Sequence, residues 1–77
     1  MAQILYNQLE WYYNRIKTNP SRHTYKLFKD KCDELSDLIY KMWQNELISD
    51  KVSQECYKVI SDMTFDVTEY YYDKCFE

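Results

Sequence analysis

His23 is the single histidine of the chain and its first candidate for acid–base or metal chemistry. Histidine changes charge near neutral pH and binds metals through either ring nitrogen. His23 lies close to a predicted helix start, among basic neighbours. We therefore interpret it as a solvated surface residue rather than a general base or a metal ligand.

The three cysteines, Cys32, Cys56 and Cys75, are the next candidates for metal binding or nucleophilic chemistry. Structural zinc sites usually pair ligands across two to four residues, whereas these cysteines are 24 and 19 residues apart. Cys32 and Cys56 fall on predicted core positions, so we expect small buried side chains there and an exposed thiol at Cys75. An odd number of cysteines also argues against a disulfide framework.

No other arrangement of residues predicts catalysis. A Cys–His pair would need an orienting third group and an oxyanion hole, and neither is evident. Carboxylate pairs such as Asp33-Glu34 lie in charge-mixed surface sequence, where no raised pKa is expected. The chain has no glycine and so no Gly-rich phosphate loop. We expect a protein that is not an enzyme and needs no cofactor or metal.

The absence of glycine and the single proline, Pro20, favour helices joined by short connections. The fold class that we predict is all-α, a small three-helix bundle with helices over residues 2–17, 20–47 and 50–75. Seventy-seven residues make one domain, 1–77.

Helix one is predicted by apolar residues at spacings of four, three and four, which are Leu5, Leu9, Tyr12 and Ile16. Pro20 then marks a boundary, since proline fits the first position of a new helix. Asn19 is the expected N-cap of helix two.

Helix two carries a bundle seam of Tyr25, Phe28, Cys32, Leu35, Ile39 and Met42, with Trp43 beside it. Leu27 and Leu38 are expected to widen this face towards a second neighbour.

Helix three is predicted to begin after Ser49 as N-cap and to bury Val52, Cys56, Val59, Met63, Val67 and Tyr70 or Tyr71. Residues 64–68 alternate and are β-branched, so a short strand is the alternative. We favour continued helix because the chain offers no partner strand.

Surplus apolar residues lie opposite these core faces. Phe65, Tyr72 and Phe76 share one side of helix three, and Ile4 and Trp11 share the far side of helix one. Aromatic residues of this kind are typical of protein interfaces. We predict that these five residues form a protein-binding surface or a homodimer contact.

Charge is distributed unevenly along the chain. Residues 1–31 hold six basic and two acidic residues, whereas residues 32–77 hold four basic and eleven acidic ones. Four carboxylates predict an acidic stripe on helix three: Glu55, Asp62, Asp66 and Asp73. Such a stripe could meet a basic groove of another protein and imitate phosphates there.

The leading functional prediction is a small protein-binding module that modulates, and in one version inhibits, a host partner. One alternative is a nucleic-acid-binding regulator that uses Arg15, Lys17, Arg22, Lys26 and Lys29 at the elbow of helices one and two. Another is a homo-oligomeric assembly component.

Eight lysines against two arginines are compatible with an AT-rich phage or mobile element. The start of the chain lacks the pattern of a signal peptide, and no apolar run approaches a membrane span. We expect a cytoplasmic protein that does not contact a membrane.

Overall fold

Three α-helices make up the part of the chain that the computed structural model describes, residues 2–75, with side chains through residue 74. They are α1 (Ala2–Thr18), α2 (Arg22–Gln44) and α3 (Asp50–Cys75). Each helix packs against the other two, and the bundle measures 44 × 17 × 17 Å. The predicted all-α three-helix bundle is confirmed, and residues 64–68 are helical as part of α3.

The core is built from the predicted stripe of each helix. Its buried residues are Leu5, Leu9 and Ile16 of α1, Phe28, Cys32, Leu35 and Ile39 of α2, and Cys56, Ile60, Met63, Val67 and Tyr71 of α3. Half-buried side chains, among them Tyr12, Tyr25 and Val59, pack around this core. The periodicity of the apolar residues therefore predicted which side of each helix faces inward, although Ile60 was not among the predicted positions.

The expected widening of the α2 face is wrong. Leu27 and Leu38 are exposed, and so is Trp43. Leu27 and Leu38 each lie about 100° around the helix from a buried neighbour, Phe28 and Ile39 respectively. With two neighbouring helices only, that rotation carries both leucines beyond the reach of the core.

The start of α2 lies two residues later than predicted. Its N-cap is Ser21 rather than Asn19, and Pro20 precedes the helix. The Thr24 backbone N–H donates to Ser21 Oγ at 3.1 Å, and the Ser21 backbone N–H donates to Thr24 Oγ1 at 3.2 Å. This reciprocal capping box satisfies two backbone donors at once, which explains why the helix begins here.

The end of α2 comes three residues earlier than predicted, at Gln44. Glu46 adopts the left-handed conformation (φ 60°), and its N–H donates to the Trp43 carbonyl at 3.1 Å. The Leu47 N–H donates to the Met42 carbonyl at 2.9 Å. These two bonds form a Schellman motif, which turns the chain away from the helix axis without a glycine.

The start of α3 follows the prediction. Ser49 Oγ accepts a hydrogen bond from the Val52 N–H at 3.2 Å, which makes Ser49 the N-cap.

Side-chain contacts align α3 with α2. The hydroxyls of Tyr25 and Thr68 lie 3.1 Å apart, and Cys32 Sγ lies 3.6 Å from Thr64 Oγ1. These contacts place the side of α3 that carries Thr64 and Thr68 against α2.

Candidate functional site

The predicted interface residues that the structure describes are exposed. The exposed fraction is 61% for Ile4, 54% for Trp11, 64% for Phe65 and 56% for Tyr72. Phe76, the fifth member of the predicted set, lies outside the described residues. The exposure of the four is confirmed, whereas their role as an interface stays a prediction.

The structure separates the two pairs instead of joining them in one patch. Trp11 lines shallow hollows on the side of α1 that faces α2, one of them together with Lys31. On α3, Phe65 and Tyr72 lie about 60° and about 40° around the helix from Thr68, which contacts α2. The two pairs therefore lie on either side of α2.

Neighbouring side chains pack against two of the exposed aromatic rings, those of Trp11 and Tyr72. The Arg15 guanidinium lies 4.8 Å from the centre of the Trp11 ring, and the Tyr12 ring meets Trp11 edge-on at 4.8 Å. The Tyr72 ring packs edge-on against Tyr71 at 5.8 Å. Because these rings already have fixed neighbours, they would lose little side-chain entropy on binding.

The acidic stripe divides into two parts. All four carboxylates are exposed, but Asp62 and Asp66 alone among them line a cleft between α3 and α1. Glu55 and Asp73 lie on the same side of α3, before and after that cleft.

The α1–α3 cleft has a volume of about 230 Å³. Helix α1 contributes Tyr6, Glu10, Tyr13, Asn14 and Lys17, and α3 contributes Val59, Asp62, Met63 and Asp66. Two tyrosine rings, three carboxylates and an apolar base thus meet in one depression. Sequence reasoning did not single out Tyr6 and Tyr13, since the residues that face them depend on how α1 and α3 are aligned.

The cleft is electrically negative. A hydrogen bond to Glu10 raises the pKa of Tyr6, and the charges of Glu10 and Asp66 act in the same direction. Burial raises the pKa of Tyr13, again with a contribution from the Asp66 charge. The negative charge of Asp66 thus acts on both tyrosines, and that of Glu10 acts on Tyr6 as well.

The five basic residues of the predicted nucleic-acid elbow do not share one face. Arg15 lines a hollow with Thr24 of α2, while Lys17 lines the acidic α1–α3 cleft. Lys26 forms an ion pair with Asp30 at 3.4 Å. Arg22 and Lys29, the other two, lie on α2. Binding of nucleic acid by this elbow stays a prediction.

A further exposed surface lies at the end of the bundle where α2 turns into α3. Tyr40, Trp43 and Tyr57 line a hollow of about 390 Å³, and the Trp43 indole N–H donates to the Asp50 carboxylate. Sequence reasoning missed this surface. Helix lengths could have revealed it, because α1 has 17 residues against 23 and 26 in α2 and α3 and leaves their far ends uncovered.

The residues considered for chemistry lie apart from one another. His23 is exposed, whereas Cys32 and Cys56 are buried free thiols on different helices. Among the described side chains, residues 2–74, no three His, Cys, Asp or Glu residues are grouped to hold a metal ion. Nor does any helix in that range combine the length and the apolar character that crossing a membrane requires. The side chain of Cys75 lies outside the described residues.

Comparison with known proteins found no family model, no curated protein and no solved structure that matches this chain.

Proposed function

We propose that this chain is a non-enzymatic protein-binding module that docks on another protein and modulates its activity, most simply as an inhibitor. The observation that carries the proposal is the exposure of Phe65, the most exposed aromatic side chain among the described residues, with Tyr72 two turns further along α3. The two rings therefore form a strip of apolar surface that runs along the helix axis.

The energetic argument rests on what these side chains would gain in a complex. Fully burying a phenylalanine side chain is worth about 1.5–3 kcal/mol. Aromatic residues are frequent among the few side chains that dominate binding energy. Single exposed apolar residues are normal on proteins, but Phe65–Tyr72 and Ile4–Trp11 each repeat at seven residues along one helix face.

The acidic residues on one side of the bundle would orient a partner that binds this surface. Charged residues around an interface mainly raise the association rate and select the orientation of the partner. Helix α3 carries acidic residues on its α1 side and aromatic ones on its α2 side, so a partner with basic and apolar surface would fit one orientation only.

The proposal includes a cytoplasmic setting and a phage or mobile-element origin, with a host protein as the partner. Free thiols at Cys32 and Cys56 suit a reducing compartment. The excess of lysine over arginine suits an AT-rich genome.

The test is a double variant, Phe65→Ala/Tyr72→Ala, compared with the unchanged chain as bait for partner capture and in sedimentation equilibrium. We expect the variant to keep its helical circular dichroism and to lose the captured partner or the dimer. The matched control is Asp37→Ala/Lys41→Ala, which truncates one acidic and one basic exposed residue of α2, away from the Phe65–Tyr72 face, and should retain binding.

Equal capture by the double variant and the unchanged chain, together with equal mass, would exclude the α3 pair as the binding surface. A dimer that dissociates in the double variant would identify a second copy of this chain as the partner.

A further inference from the structure

The α1–α3 cleft is a small, negatively charged depression, unlike the exposed aromatic surface of Phe65 and Tyr72. At about 230 Å³ it is smaller than the pockets of about 300–1,000 Å³ that hold drug-sized ligands. It is lined by the tyrosines and carboxylates of two helices. This is the size of depression that accepts a single side chain of a partner.

The charges of the cleft specify which side chain. Glu10, Asp62 and Asp66 stand against one cation, Lys17, and none of the three carboxylates takes part in an ion pair within 4.0 Å in the described part of the chain. Asp62 and Asp66 are four residues apart and thus neighbours on one helix face, where like charges repel. An incoming cation would relieve that repulsion.

The tyrosine rings of the cleft are suited to contact a cation. Lys17 Nζ already lies 4.3 Å from the centre of the Tyr13 ring. On the other side of α1, a guanidinium lies over Trp11 at 4.8 Å. Guanidinium groups stack on aromatic rings and donate two parallel hydrogen bonds to carboxylates, which a lysine ammonium does not do.

We propose that the α1–α3 cleft binds an arginine side chain of the partner protein, with the guanidinium against Tyr6, since Lys17 already lies over Tyr13, and hydrogen-bonded to Asp62 and Asp66. This inference rests on the proposed function, since it names the chemistry that the partner presents. It places recognition of charge on the α1 side of α3, about 60–120° around the helix from Phe65 and Tyr72.

The experiment titrates the protein with N-acetyl-arginine amide and follows backbone and tyrosine NMR signals. N-acetyl-citrulline amide, which has the same shape without the charge, and N-acetyl-lysine amide are the comparison ligands. We expect saturable shifts at Tyr6, Glu10, Tyr13, Asp62 and Asp66 with the arginine compound alone. The pKa of Tyr6, raised first by its hydrogen bond to Glu10 and further by the charges of Glu10 and Asp66, should fall when the guanidinium is bound, because the cation offsets those charges.

Variants that remove negative charges distinguish a specific arginine site from nonspecific electrostatic attraction. Asp62→Asn/Asp66→Asn should weaken arginine binding by about tenfold, the equivalent of about 1.4 kcal/mol. The matched control, Glu55→Gln/Asp73→Asn, likewise removes two negative charges from the acidic stripe, but outside the cleft, and should leave the affinity within about twofold.

Three results would overturn the inference: equal binding of citrulline or lysine, an equal loss of affinity in the control variant, or shifts that map elsewhere. Failure of the proposed function is distinguishable from these. The Phe65→Ala/Tyr72→Ala variant leaves the cleft intact, so it should still bind arginine whether or not it captures the partner.

Discussion

At the residue scale, Glu46 adopts a backbone conformation that glycine would occupy at lower cost. Its φ of 60° closes the Schellman motif at the end of α2. The Cβ atom, which glycine lacks, makes the left-handed conformation unfavourable by about 1–2 kcal/mol because it crowds the following carbonyl oxygen. The chain thus accepts local strain at the α2–α3 turn in order to end the helix there.

Replacing this residue should stabilise the protein. We expect Glu46→Gly to raise the free energy of unfolding by about 1 kcal/mol, since the relief of strain exceeds the entropy that glycine adds to the unfolded chain. Urea denaturation followed by circular dichroism measures the change. Glu46→Ala is the control, because alanine keeps the Cβ and should gain little. A destabilised Glu46→Gly variant would show that the Glu46 side chain makes contacts that outweigh the strain.

The two buried thiols predict a dependence of stability on pH. Burial raises the pKa of Cys32 and of Cys56 above the ordinary thiol value. The unfolded chain releases these protons near pH 8.5, whereas the folded chain holds them to higher pH. Stability from this source is therefore complete below about pH 8.5 and declines as the pH rises through the folded-state pKa values.

We expect the free energy of unfolding, measured by urea denaturation under reducing conditions, to fall as the pH rises above about 8.5. The Cys32→Ala/Cys56→Ala variant should be less stable at neutral pH but should show a shallower decline. Parallel pH curves for the two proteins would mean that other groups control the alkaline limit. Tyr6 and Tyr13, whose pKa values are also raised, act in the same direction at higher pH.

At the scale of elements, each helix buries one face and leaves an apolar remainder on the other. On α3, Val67 is buried while Phe65, two residues earlier, is mostly exposed. The 3.6-residue period separates them by about 160°. The outward-facing remainder contributes little to the fold and is free to be selected for binding.

Two phenylalanines test this division of roles. Phe28 is fully buried and Phe65 is 64% exposed. We expect Phe28→Ala to lower the free energy of unfolding by about 3–5 kcal/mol through lost burial and a cavity. Phe65→Ala should change it by less than about 0.5 kcal/mol. Thermal or urea denaturation of the two variants gives the comparison, and a large loss from Phe65→Ala would assign that ring to the fold instead of to binding.

At the scale of the whole molecule, unequal helix lengths leave one end of the bundle with two helices only. None of the residues 40–52, a stretch that the structure describes in full, is buried. Tyr40, Trp43 and Leu47 are exposed there, where α1 provides no cover. This end therefore has less of the packing that resists local opening.

Hydrogen exchange should resolve this difference. We expect amides in the last turn of α2, residues 41–44, to exchange at an opening free energy well below that of residues 28–39 in the same helix. Mass spectrometry or NMR under native conditions gives both values. Uniform protection along α2 would show that the α2–α3 end opens only with the whole domain.

The three sides of the bundle also differ in chemistry. Trp11 faces the α1–α2 side, Phe65 and Tyr72 lie towards the α2–α3 side, and the acidic cleft occupies the α1–α3 side. A partner could contact one aromatic pair and the acidic cleft together, but the two aromatic pairs lie too far around the bundle to form one flat surface.

The amino-acid sequence by itself determined the helices, their inward faces and the exposure of Ile4, Trp11, Phe65 and Tyr72. These depend on a period of 3.6 residues and on local caps such as Ser49, which act within a few residues of the chain. The helix ends were harder to predict. Ser21 and Glu46 set the ends of α2 through backbone hydrogen bonds, and neighbouring residues such as Asn19 have similar capping chemistry.

Only the tertiary structure decided which helix faces meet. Tyr6, Glu10 and Tyr13 lie more than forty residues from Asp62 and Asp66 in the chain, and the parallel alignment of α1 with α3 brings them to one cleft. The same packing turned Leu27 and Leu38 outwards. Such contacts depend on the rotation and alignment of whole helices, to which every core residue contributes and which no short segment encodes.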